Sequence, residues 1–145
     1  MKRSLLPSAL VVAALLGTAC SSSLHATKSP GADLSRLKTL YVQRLPPDTR
    51  GIERLISDQL NRMGFQSGYG DSEIPPSPVD GIVSYQDKWM WDITMYMLQI
   101  DVQIRDPQNR MVLTAGHAMH TSLVRRSPEE MVEEVLTEIF KGEQR

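Results

Sequence analysis

One cysteine, two phenylalanines, two tryptophans and three histidines are spread over 145 residues. A lone cysteine excludes an intramolecular disulfide and any cysteine-built zinc or iron–sulfur cage. Basic and acidic residues nearly cancel, 16 against 17, so the basic excess of a dedicated nucleic-acid binder is missing. A mean hydropathy of -0.26 excludes a chain built mostly of membrane spans. Gly-x-Ser-x-Gly elbows, phosphate loops and dinucleotide fingerprints are all absent. The histidines offer no convincing ligand pair: His25 lies in a polar stretch, and His117 and His120, three apart, fall on opposite faces of a strand. Asp87, Asp92 and Asp101 could in principle act on a sugar as paired acids, but are read as solvated or strand-end aspartates. These gaps together predict a single domain that is not an enzyme, with no catalytic residue, no metal site and no nucleic-acid partner.

What is present begins at the N-terminus. Lys2 and Arg3 precede an apolar stretch from residue 5 to residue 16, then Gly17, Thr18, Ala19 and the sole cysteine, Cys20. About twelve apolar residues are too few for a spanning helix, which needs roughly 20, and fit a signal peptide. The segment Leu15-Leu16-Gly17-Thr18-Ala19-Cys20 resembles the lipobox of bacterial lipoproteins, with Gly17 where the box usually carries Leu. The resemblance implies a covalent diacylglyceryl group and an N-acyl chain on Cys20, no other cofactor, and a membrane partner reached through that lipid. Residue 21 is Ser rather than Asp, which implies the periplasmic face of the outer membrane. Two or more acyl chains hold durably, at about 0.8 kcal/mol per buried methylene. Losing Lys2 and Arg3 leaves 14 basic residues against 17 acidic, a formal −3. The expected division is a signal peptide over residues 1–19, a lipidated Cys20 with a flexible tether over 20–36, and one α/β domain over 37–145.

Within that domain, residues 37–45 read as a strand stopped by Pro46 and Pro47. Ile52, Leu55, Ile56, Leu60 and Met63 recur at helical spacing before Gly64. Residues 65–69 suggest a short strand, and the proline-rich residues 71–78 a loop. Residues 79–89 read as a strand leading into an aromatic loop. From Tyr96 the alternation is clear: Tyr96, Leu98, Ile100, Val102 and Ile104 face one way. Asp106-Pro107-Gln108-Asn109 is a turn, and residues 110–121 return with Leu113 opposite Ile104 and Ala115 opposite Val102. That register turns His117 toward the apolar layer. Ser127-Pro128-Glu129-Glu130 carries an N-cap, a first-turn proline and a capping-box Glu ahead of an amphipathic helix. The expected fold is α/β in the α+β sense: a two-layer sandwich, mainly antiparallel, of four to five strands with two amphipathic helices on one face. Its order is β-α-(β)-β-β-β-α.

The Leu40-Tyr41-Val42 strand, the helix ending in Gly64-Phe65 and the hairpin around residues 106–109 resemble small lipoproteins of the TolB N-terminal type. Those include penicillin-binding-protein activators and PelC-like lipoproteins. The resemblance implies an interaction or assembly role at the outer membrane, with an envelope protein as partner and a ring-forming homo-oligomer as one form of it. Both tryptophans and four of the eight aromatics crowd into twelve residues. Tyr85, Trp89, Met90, Trp91, Asp92 and Tyr96 form the expected interaction surface, in competition with simple packing at a sheet edge. Trp also suits a membrane–water boundary. The alternative reading is a binding module for a small envelope glycan or lipid that uses Trp89 and Trp91.

Overall fold

The computed structural model describes residues 21–143, so the expected signal peptide and Cys20 lie outside the described residues. Six strands form one sheet: β1 (Ser22–Lys28), β2 (Thr39–Gln43), β3 (Gln66–Gly70), β4 (Gly81–Asp92), β5 (Thr94–Arg105) and β6 (Val112–His120). Two helices, α1 (Ile52–Arg62) and α2 (Pro128–Ile139), complete the domain. The strand order is β1-β6-β5-β4-β2-β3. β2 runs parallel to both β3 and β4, and the other pairs are antiparallel. The result is the expected α+β sandwich, with six strands rather than four or five.

Periodicity explains both helices. α1 buries Ile52, Ile56 and Leu60, one helical turn apart, and α2 buries Met131, Val132, Val135, Leu136 and Ile139. Both faces join Val83, Ile100, Val102, Ile104 and Ala118 in one apolar core. Ser127 and Glu130 close a complete capping box at the start of α2. α2 packs close to the sheet because β6 is thin beneath it. A Cβ on Gly116 would lie 2.7 Å from Ile139 Cγ1 and 2.9 Å from Val135 Cγ2.

Three expectations are corrected. The tether expected over residues 20–36 instead contains β1, which pairs with β6 along its whole length, from Ser22 opposite His120 to Lys28 opposite Thr114. A polar strand is stable there because β6 supplies the ladder, Ala26 packs on the core, and Lys28 meets Glu143 at 2.8 Å. Residues 34–36 then form a 3₁₀ turn with Leu34 buried. Secondly, the β5–β6 register is displaced by one residue: Ile104 faces Thr114, Val102 faces Gly116 and Ile100 faces Ala118. The small residues Gly116 and Ala118 thus face the helices, and His117 turns to the uncovered face. Thirdly, Gln99 pairs with Lys88 but Met97 with Trp89, so Leu98 is an extra residue in a bulge. The bulge inverts the faces, placing Met97 rather than Leu98 in the core.

Candidate functional site

The β4–β5 hairpin is longer than the body it grows from, and its two halves differ sharply. The expected aromatic loop is a regular ribbon that turns at Ile93, between the paired Asp92 and Thr94. At its root Tyr85 is 4% exposed and faces α1. The Tyr85 hydroxyl donates to Asp48 Oδ2 at 2.6 Å and accepts from the Leu45 amide at 3.2 Å. Asp48 also takes the amides of Arg50 at 2.6 Å and Ile52 at 2.8 Å, fastening the start of α1. Burial alone would push Asp48 up, but Tyr85 and the two amides hold its carboxyl below the ordinary value. Glu53 beside it is pushed up, first by burial and then by Asp48. Tyr85 is raised far above the usual phenol range by burial and by the carboxylate it serves.

Midway along the ribbon, Trp89 packs against the core. Its Nε1 donates to Asp87 at 2.5 Å, and the Arg50 guanidinium lies 4.2 Å from the ring centre. Tyr96 is buried under Arg125, whose guanidinium sits 4.7 Å from that ring. Of the six residues expected on one surface, Tyr85, Trp89 and Tyr96 therefore belong to the body of the fold. Met90, Trp91 and Asp92 are exposed.

Beyond Trp89 the ribbon outruns the helices. Trp91 is 70% exposed and Ile93 87%, with Met90 and Met95 about half exposed beside them. A second segment adds to this end: the 3₁₀ turn Ser122–Val124 presents Leu123, 83% exposed. Ser122 bonds to the Asp92 carboxylate, and Arg125 donates to Thr94 Oγ1 at 2.8 Å. Arg125 also lies 3.8 Å from Asp92, so charge at the tip is paired internally. Ile93 has φ 64°, a left-handed conformation that a β-branched residue rarely adopts. A bulky apolar residue is thus held at the most exposed point of the hairpin at a conformational cost. Ile93 and Leu123 were not among the residues expected on this surface: neither is aromatic, and Leu123 lies outside residues 85–96.

β1 brings the N-terminal end of the described chain to the same place. Ser22 lies opposite His120, and the Thr121 amide reaches Ser21 O at 3.3 Å, one residue from the turn that holds Asp92. Hairpin tip, Leu123 and Ser21 therefore occupy one end of the sheet.

The face away from the helices carries polar side chains. Across β1, β6 and β5, His117 Nδ1 lies 2.7 Å from Asp101 Oδ1, and its Nε2 lies 3.0 Å from Ser23 Oγ. The His25 ring stacks on His117 with centroids 4.8 Å apart. Serine, histidine and aspartate stand in the order of a hydrolase triad. Ser23, however, is inside an edge strand, where backbone N–H groups lie in the sheet plane instead of converging above Oγ as an oxyanion hole requires. What this line does physically is tie β1 to the two strands beside it. His120, on the helix side, lies 2.6 Å from Glu134, so the two β6 histidines face opposite ways as expected. Among the described residues no group of His, Cys, Asp and Glu could hold a metal ion, and no helix is long and apolar enough to cross a membrane.

No family model matches the sequence, and no curated protein matches it. Solved structures do resemble the fold. The PelC dodecamer of Paraburkholderia phytofirmans in one crystal form has a TM-score of 0.61 at 14% identity, covering 82% of this chain and 98% of that one. A variant PelC dodecamer in another crystal form gives 0.60 at 15%, covering 82% and 97%. TolB from Acinetobacter baumannii gives 0.49 at 16%, covering 83% of this chain and 32% of TolB. At such identities the likeness to PelC is one of fold, and it is the fold that the sequence resemblance implied.

Proposed function

We propose that this chain is a lipid-anchored envelope protein of the outer membrane that works without catalysis, as an interaction or assembly factor, with its hairpin-tip end against the bilayer. The observation that supports this reading is positional. Cys20, the residue expected to carry the lipid, directly precedes Ser21, and Ser21 lies at the end of the sheet that exposes Met90, Trp91, Ile93, Met95 and Leu123. Successive Cα atoms are about 3.8 Å apart, so an acylated Cys20 has no slack to carry the domain away from the membrane. Two strand spacings, about 10 Å, separate β1 from β5. An anchor at Cys20 would hold the apolar tip at the interface, where Trp is favoured and each buried apolar side chain contributes about 1.5–3 kcal/mol.

The tether that would have let the domain search for partners is occupied by β1, so orientation replaces reach. A domain fixed at one end offers its uncovered sheet face and its two free strand edges, β1 and β3, at a constant height above the membrane. Because PelC, of similar fold, is a dodecamer, assembly with further copies of this chain is the first partner to test. Flotation with vesicles checks the docking directly. The lipidated protein should float, and the Cys20→Ser protein should float weakly through its tip alone. The Cys20→Ser protein carrying Trp91→Ala and Ile93→Asn should stay at the bottom. If tip substitutions leave the flotation of the Cys20→Ser protein unchanged, the docking is wrong. If that protein sediments as a strict monomer at all concentrations, and in-cell crosslinking captures no envelope protein, the assembly role is wrong.

A further inference from the structure

The uncovered face of the sheet holds a second feature, independent of how the chain meets the membrane. An open trough of about 450 Å³ crosses β2, β4 and β5 at the opposite end from the hairpin tip, with Ile82 and Leu45 among its apolar lining. That is the size of a small-molecule site. Its walls carry three amides, Gln43, Gln86 and Gln103, the guanidinium groups of Arg105 and Arg110, and one carboxylate, Asp101, whose two oxygens are already engaged by His117 and Gln99. Elsewhere in the described fold, Arg125 and Arg126 are matched to carboxylates. The two trough arginines instead rest on neutral acceptors: Arg105 Nη2 on Gln103 Oε1 at 2.7 Å, and Arg110 Nη2 on Glu73 O at 3.1 Å. Arg105 Nε is buried with no hydrogen-bond acceptor among the described residues, a costly arrangement for a charged donor.

We infer that this trough binds an acidic saccharide: a sugar ring whose carboxylate is taken by Arg105 and Arg110 and whose hydroxyls are read by the glutamines. A guanidinium pair suits a carboxylate, which accepts two parallel N–H bonds. Amides both donate and accept, as vicinal hydroxyls require, and the apolar lining suits the C–H face of a ring. No motif marks this site, since its polar residues come from separate strands and one turn and fall on one face only once the sheet is paired.

The test is a heteronuclear NMR titration of the Cys20→Ser protein with three probes: glucuronic acid, glucose and inorganic phosphate. Glucuronic acid should shift the side-chain signals of Gln43, Gln86 and Gln103 and the Arg105 Nε–H in a saturable way. Arg105→Gln and, separately, Arg110→Ala should weaken that binding at least tenfold while leaving the rest of the spectrum folded. Glucose should bind at least tenfold more weakly. Equal affinity for glucose would overturn the role of the arginines. Equal affinity for phosphate would overturn the saccharide, leaving a bare anion site. No saturable shift with any probe would overturn the site itself.

Discussion

The two halves of the β4–β5 ribbon share strands, alternation and aromatic content, yet one is core and the other surface. Tyr85 and Trp91 differ by six residues and lie on the same helix-side face of the ribbon. What separates them is cover. The segment before α1 reaches Tyr85 through Asp48 and Trp89 through Arg50, while Trp91, beyond their reach, is 70% exposed. Burial of a patterned strand is therefore decided by the length of its neighbours, and a strand that outruns them presents its apolar residues to whatever lies beyond.

The contrast can be broken most forcefully at the root. Tyr85→Ala should cost about 4 kcal/mol, because it opens a cavity and leaves Asp48 without its side-chain donor. Trp91→Ala, an equally drastic truncation, should change stability by less than about 0.5 kcal/mol. Chemical denaturation of the two variants checks this, and similar losses in both would mean that the tip is packed after all. At the edge of the body, His117→Ala should cost about 1–2 kcal/mol and loosen β1 selectively, because it removes the link between Asp101 and Ser23. Hydrogen exchange should then accelerate over residues 22–28 more than over β5. Equal acceleration throughout would contradict a local tie.

These contrasts also mark what the residues disclosed beforehand. The helices were legible, since α1 repeats its apolar residues at 3.6 spacing and Ser127 to Glu130 spell a cap. β1 was not, because Ser-Ser-Leu-His-Ala-Thr-Lys has the composition of a tether and becomes a strand only by borrowing the open edge of β6. The bulge at Leu98 was equally hidden. A leucine in perfect alternation with Ile100 becomes the extra residue of the bulge, so Met97 enters the core instead and the faces before it are inverted. The aromatic cluster was visible as a cluster, but its division into root and tip depends on where the helices stop. Leu123, from a turn thirty residues later in the chain, joins the tip only through tertiary structure.

A smaller effect sharpens the chemistry of the root. Asp48 has a folded pKa below its ordinary value, so its contribution to stability is complete above the usual carboxylate range and is lost as pH falls through the lowered value. Glu53 has the opposite sign: raised by burial and by Asp48, its ionised form opposes folding, and stability is gained as pH falls through its raised value. Thermal stability should accordingly rise slightly on acidification from neutral pH and then fall steeply. Glu53→Gln should remove the rise and leave the fall. A monotonic curve unaffected by Glu53→Gln would show that the pair is not coupled to folding.

The tip also offers a change of the opposite sign. Ile93→Asn places a residue that tolerates φ 64° where a β-branched one is strained, and should stabilise the fold by about 1 kcal/mol. The same substitution removes an apolar group from the exposed end, so it should raise the melting temperature and weaken vesicle binding together. Parallel loss of both would tie Ile93 to the core rather than to the surface.

The claim that the tip end faces the bilayer is tested most directly by Trp91 itself. In the lipidated Trp89→Phe protein, Trp91 is the sole tryptophan and its emission reports one position. In vesicles whose acyl chains carry bromine, the account predicts a blue-shifted spectrum that is strongly quenched compared with unbrominated vesicles. An unshifted, unquenched emission from protein that still floats with the vesicles would mean that the anchor holds while the tip faces water, contradicting the proposed orientation.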